Sequence, residues 1–175
     1  MTPYKTEPRA DLQFQFPDDL TWAELDRQGV KLPKMKLADF YIIRDRDILL
    51  VEVKDPSNKF SLPENKSEYL RRMKNDELIA NELTPKARDS YTYMHLMERD
   101  SKPFKFIVLL GIDAYSKDDQ VAVLATFKDR LLNSIRNESF EPWKRKYIAD
   151  CFVMSISTWN SRFPEWKVTR LSGPK

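Results

Sequence analysis

The chain has few of the residues that build several common functional sites. Its 175 residues include one histidine, His95, one cysteine, Cys151, and three glycines. A single imidazole and a single thiol exclude histidine clusters, disulfide frameworks and thiolate zinc sites. Three dispersed glycines exclude a P-loop and a dinucleotide fingerprint, because both need closely spaced glycines. Nucleotide-cofactor chemistry of those kinds is therefore not expected.

Long apolar segments and a strong charge of one sign are also missing. The longest apolar run, residues 106–112, is far shorter than the roughly 20 residues that span a bilayer. The N-terminal residues mix charges and lack the apolar core of a signal peptide. The net charge of +3 is too small to indicate a polyanionic partner by itself. These features predict a cytoplasmic protein with no membrane partner, folded as a single domain over residues 1–175.

The residue pattern predicts helices and strands in alternation. Residues 17–29 have Trp22 and Leu25 at helical spacing and Gly29 as a stop, which predicts a short helix. Thr84 followed by Pro85 predicts a helix start with a threonine cap. The remaining pattern predicts a hairpin of residues 40–43 and 48–51, helices over 64–83, 84–99 and 118–137, and strands over 104–112, 147–157 and 166–171. This order predicts an α/β fold with a mixed central sheet flanked by helices.

The predicted hairpin brings acidic residues together. If residues 44–47 form the loop, Phe40 lies opposite Val51 and Asp39 lies opposite Glu52. Lys54 shares the face of Glu52, because side chains alternate along a strand. Two convergent carboxylates beside apolar strands favour a divalent cation such as Mg²⁺, and a neighbouring ammonium suits phosphodiester hydrolysis. The alternative is a salt-bridged trio that only tolerates burial.

Asp39, followed by Glu52-Val53-Lys54, resembles the PD-(D/E)xK nuclease superfamily, with Ala38 in the place of the signature proline. The resemblance implies a restriction-endonuclease-like α/β fold. It further implies Mg²⁺, with Mn²⁺ as a substitute, held by Asp39, Glu52 and the Val53 carbonyl. Lys54 would position the nucleophilic water. Family members often carry an acid on the first helix and a basic residue on the helix after the motif, and the matching candidates are Glu24 as a ligand and Lys86 or Arg88 near the site.

Three other places in the chain have an acid two residues before a lysine, at 64–66, 100–102 and 165–167. The first two lie in polar sequence, where both side chains would be solvated. Glu165 and Lys167 are the serious rival, since Asp150 precedes them near a predicted strand. However, Pro164 interrupts that strand and few residues follow it. Only residues 52–54 combine a hairpin, apolar flanks and sufficient chain downstream.

A second candidate region interleaves basic and aromatic residues as nucleic-acid surfaces do. It consists of Trp143, Lys144, Arg145 and Lys146. Residues 101–175 hold 13 Lys and Arg against 8 Asp and Glu, so the mild global charge hides a basic C-terminal part. The segment is a candidate for contact with the substrate, and the competing interpretation is a solvated helix end.

The leading hypothesis is a metal-dependent nuclease, an enzyme whose partner is nucleic acid, with DNA as the expected substrate. One alternative is a non-catalytic nucleic-acid or protein-binding module on the same fold. Another is a hydrolase of a different phosphate ester. The residues do not distinguish DNA from RNA, or single from double strands, because specificity loops vary around a fixed core. A homodimer is compatible with the family, but no sequence feature indicates one.

Overall fold

The structure is a computed structural model that describes residues 1–27 and 34–173. Within these residues the chain forms eight strands, four α-helices and one π-helical turn. In chain order they are β1 (Thr2–Tyr4), β2 (Leu12–Phe16), β3 (Trp22–Glu24), β4 (Phe40–Ile43), β5 (Ile48–Lys54), α1 (Pro63–Lys74), the π-helical turn (Ile79–Leu83), α2 (Thr84–Leu96), β6 (Phe104–Leu110), α3 (Lys117–Arg136), β7 (Ile148–Ser155), α4 (Ile156–Arg162) and β8 (Val168–Arg170).

The strands form two sheets. The larger sheet is mixed and has the order β3-β4-β5-β6-β7, with β3, β4 and β5 antiparallel and β5, β6 and β7 parallel. The smaller sheet is antiparallel and has the order β1-β2-β8. The protein is therefore an α/β protein in which both sheets carry helices. No helix in the described ranges has both the length and the apolar character needed to cross a membrane.

The central strands of the larger sheet are buried on both faces. Leu50 on β5 and Val108 on β6 point into a core shared with the helices α1, α2 and α3. Val51 and Ile107 point to the opposite face, where the smaller sheet and α4 cover the larger sheet. Burial on both faces explains why β5 and β6 read as nearly continuous apolar runs.

Each layer is held by a regular apolar pattern. On α3, Val123, Phe127, Leu131 and Ile135 recur every four residues and form one buried stripe against the sheet. On the other side, aromatic rings fill the space between the two sheets. Phe14 lies with its ring edge to Phe40 at a centroid distance of 5.2 Å, a favourable geometry for aromatic pairs.

The predicted hairpin is confirmed with its register. Phe40 pairs with Val51, Ile43 pairs with Ile48, and the Arg44 N–H donates to the Asp47 carbonyl across the turn at 2.9 Å. The strand over 104–112 and the helix over 118–137 are also confirmed, as β6 and α3 with slightly different ends. The last predicted strand is the short β8.

The helix predicted over residues 17–29 was wrong. Residues 22–24 form β3, and residues 28 and 29 lie outside the described ranges. Trp22 packs on Phe16 in the core between the sheets, whereas Leu25 joins the core on the helical side. The two residues therefore serve opposite faces of the sheet, which one face of a helix cannot do.

Three further boundaries differ from the prediction. The predicted helix over 64–83 ends at Lys74, because the Asn75 side chain accepts a hydrogen bond from the Glu77 N–H and begins a new turn. Thr84 does not cap α2, since the chain enters that helix directly from the π-helical turn and the threonine hydroxyl contacts Ser134 instead. The strand predicted over 147–157 ends at Ser155, whose hydroxyl caps α4.

Candidate active site

Asp39 lies where the ladder between β4 and β5 stops. The last backbone pair is Phe40 with Val51, and beyond it the Val53 N–H donates to the Asp39 carboxylate at 2.6 Å. The side chain thus replaces the backbone partner that β4 no longer supplies. Glu52 and Lys54 continue the alternation of Leu50 and share its face, toward the helices.

Glu52 is a buried carboxylate with two lysine partners. Its side chain is 1 % exposed. Lys54 Nζ lies 3.0 Å from Oε1, and Lys86 Nζ lies 2.9 Å from Oε1 and 3.0 Å from Oε2. Lys86 reaches the carboxylate from the first turn of α2. Charge-assisted hydrogen bonds of this length compensate the burial of one negative charge.

Lys54 is held from its other side by the π-helical turn. Its Nζ lies 2.8 Å from Glu82 Oε2, and Arg72 of α1 also binds the Glu82 carboxylate. Burial alone would raise the pKa of Glu82, but hydrogen bonds from Arg72 and Lys54 lower it to about 2. Burial would likewise lower the pKa of Lys54, but the Glu52 and Glu82 carboxylates raise it. Lys54 is therefore an ammonium ion at neutral pH.

The Asp39 carboxyl has a raised pKa, in contrast to that of Glu82. Burial raises the pKa of its carboxyl, the negative charge of Glu52 raises it further, and Lys86, the Val53 N–H and Lys54 oppose the shift. The result is a pKa of about 8. The carboxyl is thus poorly compensated as an anion, and an additional positive charge beside it would favour the ionised form.

Two polar residues of α2 that the sequence analysis did not select hold the segment leading to Asp39. The Lys36 N–H donates to Asp89 and the Ala38 N–H donates to the Ser90 hydroxyl, both at 2.8 Å. Ser90 is fully buried. The contacts join residues more than 50 positions apart, and no local pattern in the sequence indicates them.

The Asp39–Glu52 pair opens into a cleft of about 320 Å³. Besides the cluster residues Asp39, Glu52, Val53, Lys54 and Lys86, the cleft is lined by Thr6, Glu7, Asp26 and Arg27. Glu24 lies on β3, not on a helix, and lines the adjoining cleft. Asp26 lines both clefts, so of the acids on this segment it is the one that shares a cleft with the pair.

The donor atoms at the pair are all oxygens. The N–H and C=O of one strand residue point toward the same neighbour, so the Val53 carbonyl faces the same edge as the Asp39 side chain. Two carboxylates and a carbonyl suit a hard cation such as Mg²⁺, which keeps several waters. The described ranges contain no cluster of three acidic, histidine or cysteine side chains that could hold a metal. Asp39, Glu52 and the Val53 carbonyl are the oxygen ligands that could hold such a cation, with water needed to complete its coordination.

The other acid–lysine triples do not converge on a site. Glu165 and Lys167 are both exposed in the turn before β8, and Asp150 pairs with Lys128 on the surface. Asp100 contacts His95. Cys151 is fully buried in β7, and burial raises the pKa of its thiol to about 12, as expected for an unreactive apolar position.

The structure separates the remaining candidates. Lys86 contacts Glu52, whereas Arg88 on the same helix binds Asp89 and Glu138. Residues 143–146 lie before β7, whose first residue pairs with the start of β6. Glu52 is level with Val108, four residues along β6, so the level at which β7 begins lies about 13 Å along the strands from Glu52, and residues 143–146 precede it in the chain.

Comparison of the chain with protein-family models, curated proteins and solved structures found no match. The function must therefore be inferred from the residues and their geometry.

Proposed function

We propose that this chain is a Mg²⁺-dependent nuclease of the PD-(D/E)xK type, with Mn²⁺ as a substitute metal and DNA as the expected substrate. The observation that carries the proposal is the convergence of Asp39, Glu52 and Lys54 at the end of one hairpin, in a cleft open to solvent. The antiparallel hairpin joined to the parallel strands β6 and β7 supports the proposed restriction-endonuclease-like fold. The cytoplasm is the proposed location.

Each residue of the cluster has a distinct role in this proposal. Asp39, Glu52 and the Val53 carbonyl hold the metal ion. When bound, Mg²⁺ supplies Lewis-acid polarisation of the phosphate and a water of lowered pKa. Lys54, fixed between Glu52 and Glu82, orients the attacking water and stabilises negative charge that develops on the phosphoryl oxygens.

Basic residues outside the metal site contact the substrate in this proposal. Lys86 lines the cleft and offers its ammonium to a phosphate when Glu52 binds the metal. Arg88 lines a separate cleft together with Trp143, Lys144 and Arg145, and Arg88 and the segment 143–146 are proposed to bind the nucleic acid away from the scissile bond.

One observation favours a second candidate function, a non-catalytic nucleic-acid or protein-binding module. Lys54 and Lys86 already neutralise Glu52, so its burial needs no metal ion. A module of this kind would keep the cluster for stability alone. The two functions differ in whether a divalent cation binds at the Asp39–Glu52 pair.

The test is cleavage of labelled single- and double-stranded DNA with Mg²⁺ or Mn²⁺. We expect the natural chain to cleave one of the two substrates and Lys54→Ala to lose about 100-fold or more of the rate. The matched control is Lys167→Ala, which alters the similar acid–lysine pattern at residues 165–167 and should cleave normally. Equal cleavage by Lys54→Ala and the natural chain would refute the assignment of Lys54. Tight DNA binding without cleavage would favour the binding module.

A further inference from the structure

The loop between α3 and β7 exposes two large aromatic side chains. Phe140 is fully exposed, and Trp143 is 42 % exposed. A contiguous exposed apolar patch commonly marks a binding site, whereas single exposed apolar residues are ordinary, so the surroundings of these rings decide what they indicate. The loop also carries Lys144, Arg145 and Lys146, so the exposed rings lie beside positive charge.

Three adjoining clefts of about 170, 270 and 250 Å³ surround this loop and share Arg145 and Tyr147. The charged residues that line the three clefts are mostly basic. Among the described residues the lining contains one acidic side chain, Asp100, and six basic ones. The basic residues are Arg88, Lys102, Arg136, Lys144, Arg145 and Lys146. We call these six residues, together with Phe140 and Trp143, the basic–aromatic patch.

Little of this positive charge is neutralised within the protein. Asp100 is engaged by His95, and Glu138 is engaged by Arg88. Within residues 1–27 and 34–173, Arg136, Lys144 and Lys146 have no ion pair or side-chain hydrogen bond. Cations left free beside exposed rings favour an anionic partner that also offers flat apolar surfaces.

We propose that the basic–aromatic patch binds single-stranded nucleic acid, with phosphates on Lys144, Arg145 and Lys146 and bases stacked on Trp143. Single strands are bound by positively charged grooves interleaved with aromatic rings, because their unpaired bases are free to stack on side chains. In a duplex the bases are already stacked on one another, and exposed rings have no such partner. The inference rests on the proposed function and deepens it, because it names the form of the substrate.

The helix α2 connects the patch with the candidate active site. Lys86 contacts Glu52, and Arg88, two positions later, lines the cleft beside Trp143. Tyr91, one turn farther, accepts a hydrogen bond from Arg145 at 3.1 Å. A strand held on the patch would therefore lie beside the helix whose first turn reaches the metal site.

The experiment measures the affinity of a fluorescein-labelled oligothymidylate in EDTA, so that binding is recorded without cleavage. We expect Trp143→Ala to bind about 5- to 100-fold more weakly. The triple variant Lys144→Gln, Arg145→Gln, Lys146→Gln should reduce the slope of log K against log salt by about 2. Matched controls are Phe60→Ala, another exposed ring, and the triple variant Lys117→Gln, Arg162→Gln, Lys167→Gln, and both should bind as the natural chain does.

The outcomes separate this inference from the proposed function. Single-strand binding that depends on Trp143 supports the patch even if the chain cleaves nothing. Cleavage that is unaffected by Trp143→Ala, with unchanged binding, overturns the patch and leaves the nuclease proposal intact. Equal or tighter binding of a duplex of the same length also overturns it. So does a second copy of the chain on this face, detected by sedimentation as a dimer that Trp143→Ala dissociates.

Discussion

Replacing Asp39 by asparagine should stabilise the protein. In the unfolded chain the carboxyl has its usual pKa of 3.8, whereas in the fold burial and the charge of Glu52 raise the pKa to about 8. Between these values the folded state binds more protons than the unfolded state, so stability falls as the pH rises from about 4 to about 8. Asparagine has no proton to lose and keeps an oxygen for the Val53 N–H.

The magnitude follows from linkage. At pH 7 the unfolded carboxyl is about three pH units above its pKa while the folded carboxyl is still mostly protonated, and each unit corresponds to about 1.4 kcal/mol. The upper limit is therefore about 4 kcal/mol at pH 7 and under about 2 kcal/mol at pH 5. Water in the cleft screens the carboxyl, so we expect Asp39→Asn to gain between about 1 and 4 kcal/mol at pH 7.

The assay is urea denaturation in EDTA at several pH values, with Asp45→Asn as the control. Asp45 is exposed in the turn of the same hairpin, and its replacement should change the free energy of unfolding little. A variant at position 39 that is less stable than the natural chain at pH 7, or whose advantage does not grow from pH 5 to pH 7, would refute the reasoning.

Three further predictions concern one residue at the turn of the hairpin, one that holds the segment leading to Asp39 and one in contact with Glu52. Asp47→Asn should cost about 1–3 kcal/mol at pH 7, because the carboxylate is buried and bound by Arg44 and Lys105. Hydrogen bonds from Arg44 lower the pKa of Asp47, so this stability is present above its unfolded pKa of 3.8 and is lost as the pH falls through the lower folded pKa. Denaturation should therefore show a smaller difference near pH 3 than at pH 7, and an equal difference contradicts the prediction. Ser90→Ala leaves the Ala38 N–H without its partner and should cost about 1–3 kcal/mol in thermal or urea unfolding, whereas a loss below about 0.5 kcal/mol would show that the contact is dispensable. Lys86→Met removes a cation that competes with metal for Glu52 and should tighten Mn²⁺ binding about tenfold in calorimetry, and weaker binding would be the contrary result.

The hairpin could be predicted from the sequence because its information is local. Four charged residues between two apolar runs fix the loop, and the loop fixes every opposed pair from Phe40–Val51 to Ile43–Ile48. The convergence of Asp39, Glu52 and Lys54 follows from that register. The long apolar run of β6 was equally informative, because a strand buried on both faces has little room for polar residues.

The first segments of the chain could not be assigned correctly from helical spacing alone. Trp22 and Leu25 match a helix, yet the strand β4 provides an edge on which residues 22–24 pair. Tertiary pairing overrode the local preference. By contrast, the sequence of β2 carries a clear strand pattern, since Leu12, Phe14 and Phe16 alternate with two glutamines, as in a strand with one buried face.

The electrostatic surroundings of the site depend on contacts that are distant in the sequence. Lys86 was among the predicted residues, but its direct contact with Glu52 spans 34 positions. Glu82 and Arg72, which fix Lys54, lie in what the pattern predicted as one continuous helix. The break at Asn75 and the π-helical turn after it turn Glu82 toward Lys54, and the periodicity of the sequence does not predict that turn.

The central claim is that Asp39 and Glu52 together bind a divalent metal ion, and the most direct measurement is Mn²⁺ binding followed by electron paramagnetic resonance. The natural chain and Glu52→Gln should be compared with Glu165→Gln, which alters the exposed acid–lysine pattern at residues 165–167. The account predicts that the natural chain and Glu165→Gln bind Mn²⁺ and that Glu52→Gln loses this binding. Absence of binding to the natural chain, or undiminished binding to Glu52→Gln, would contradict it.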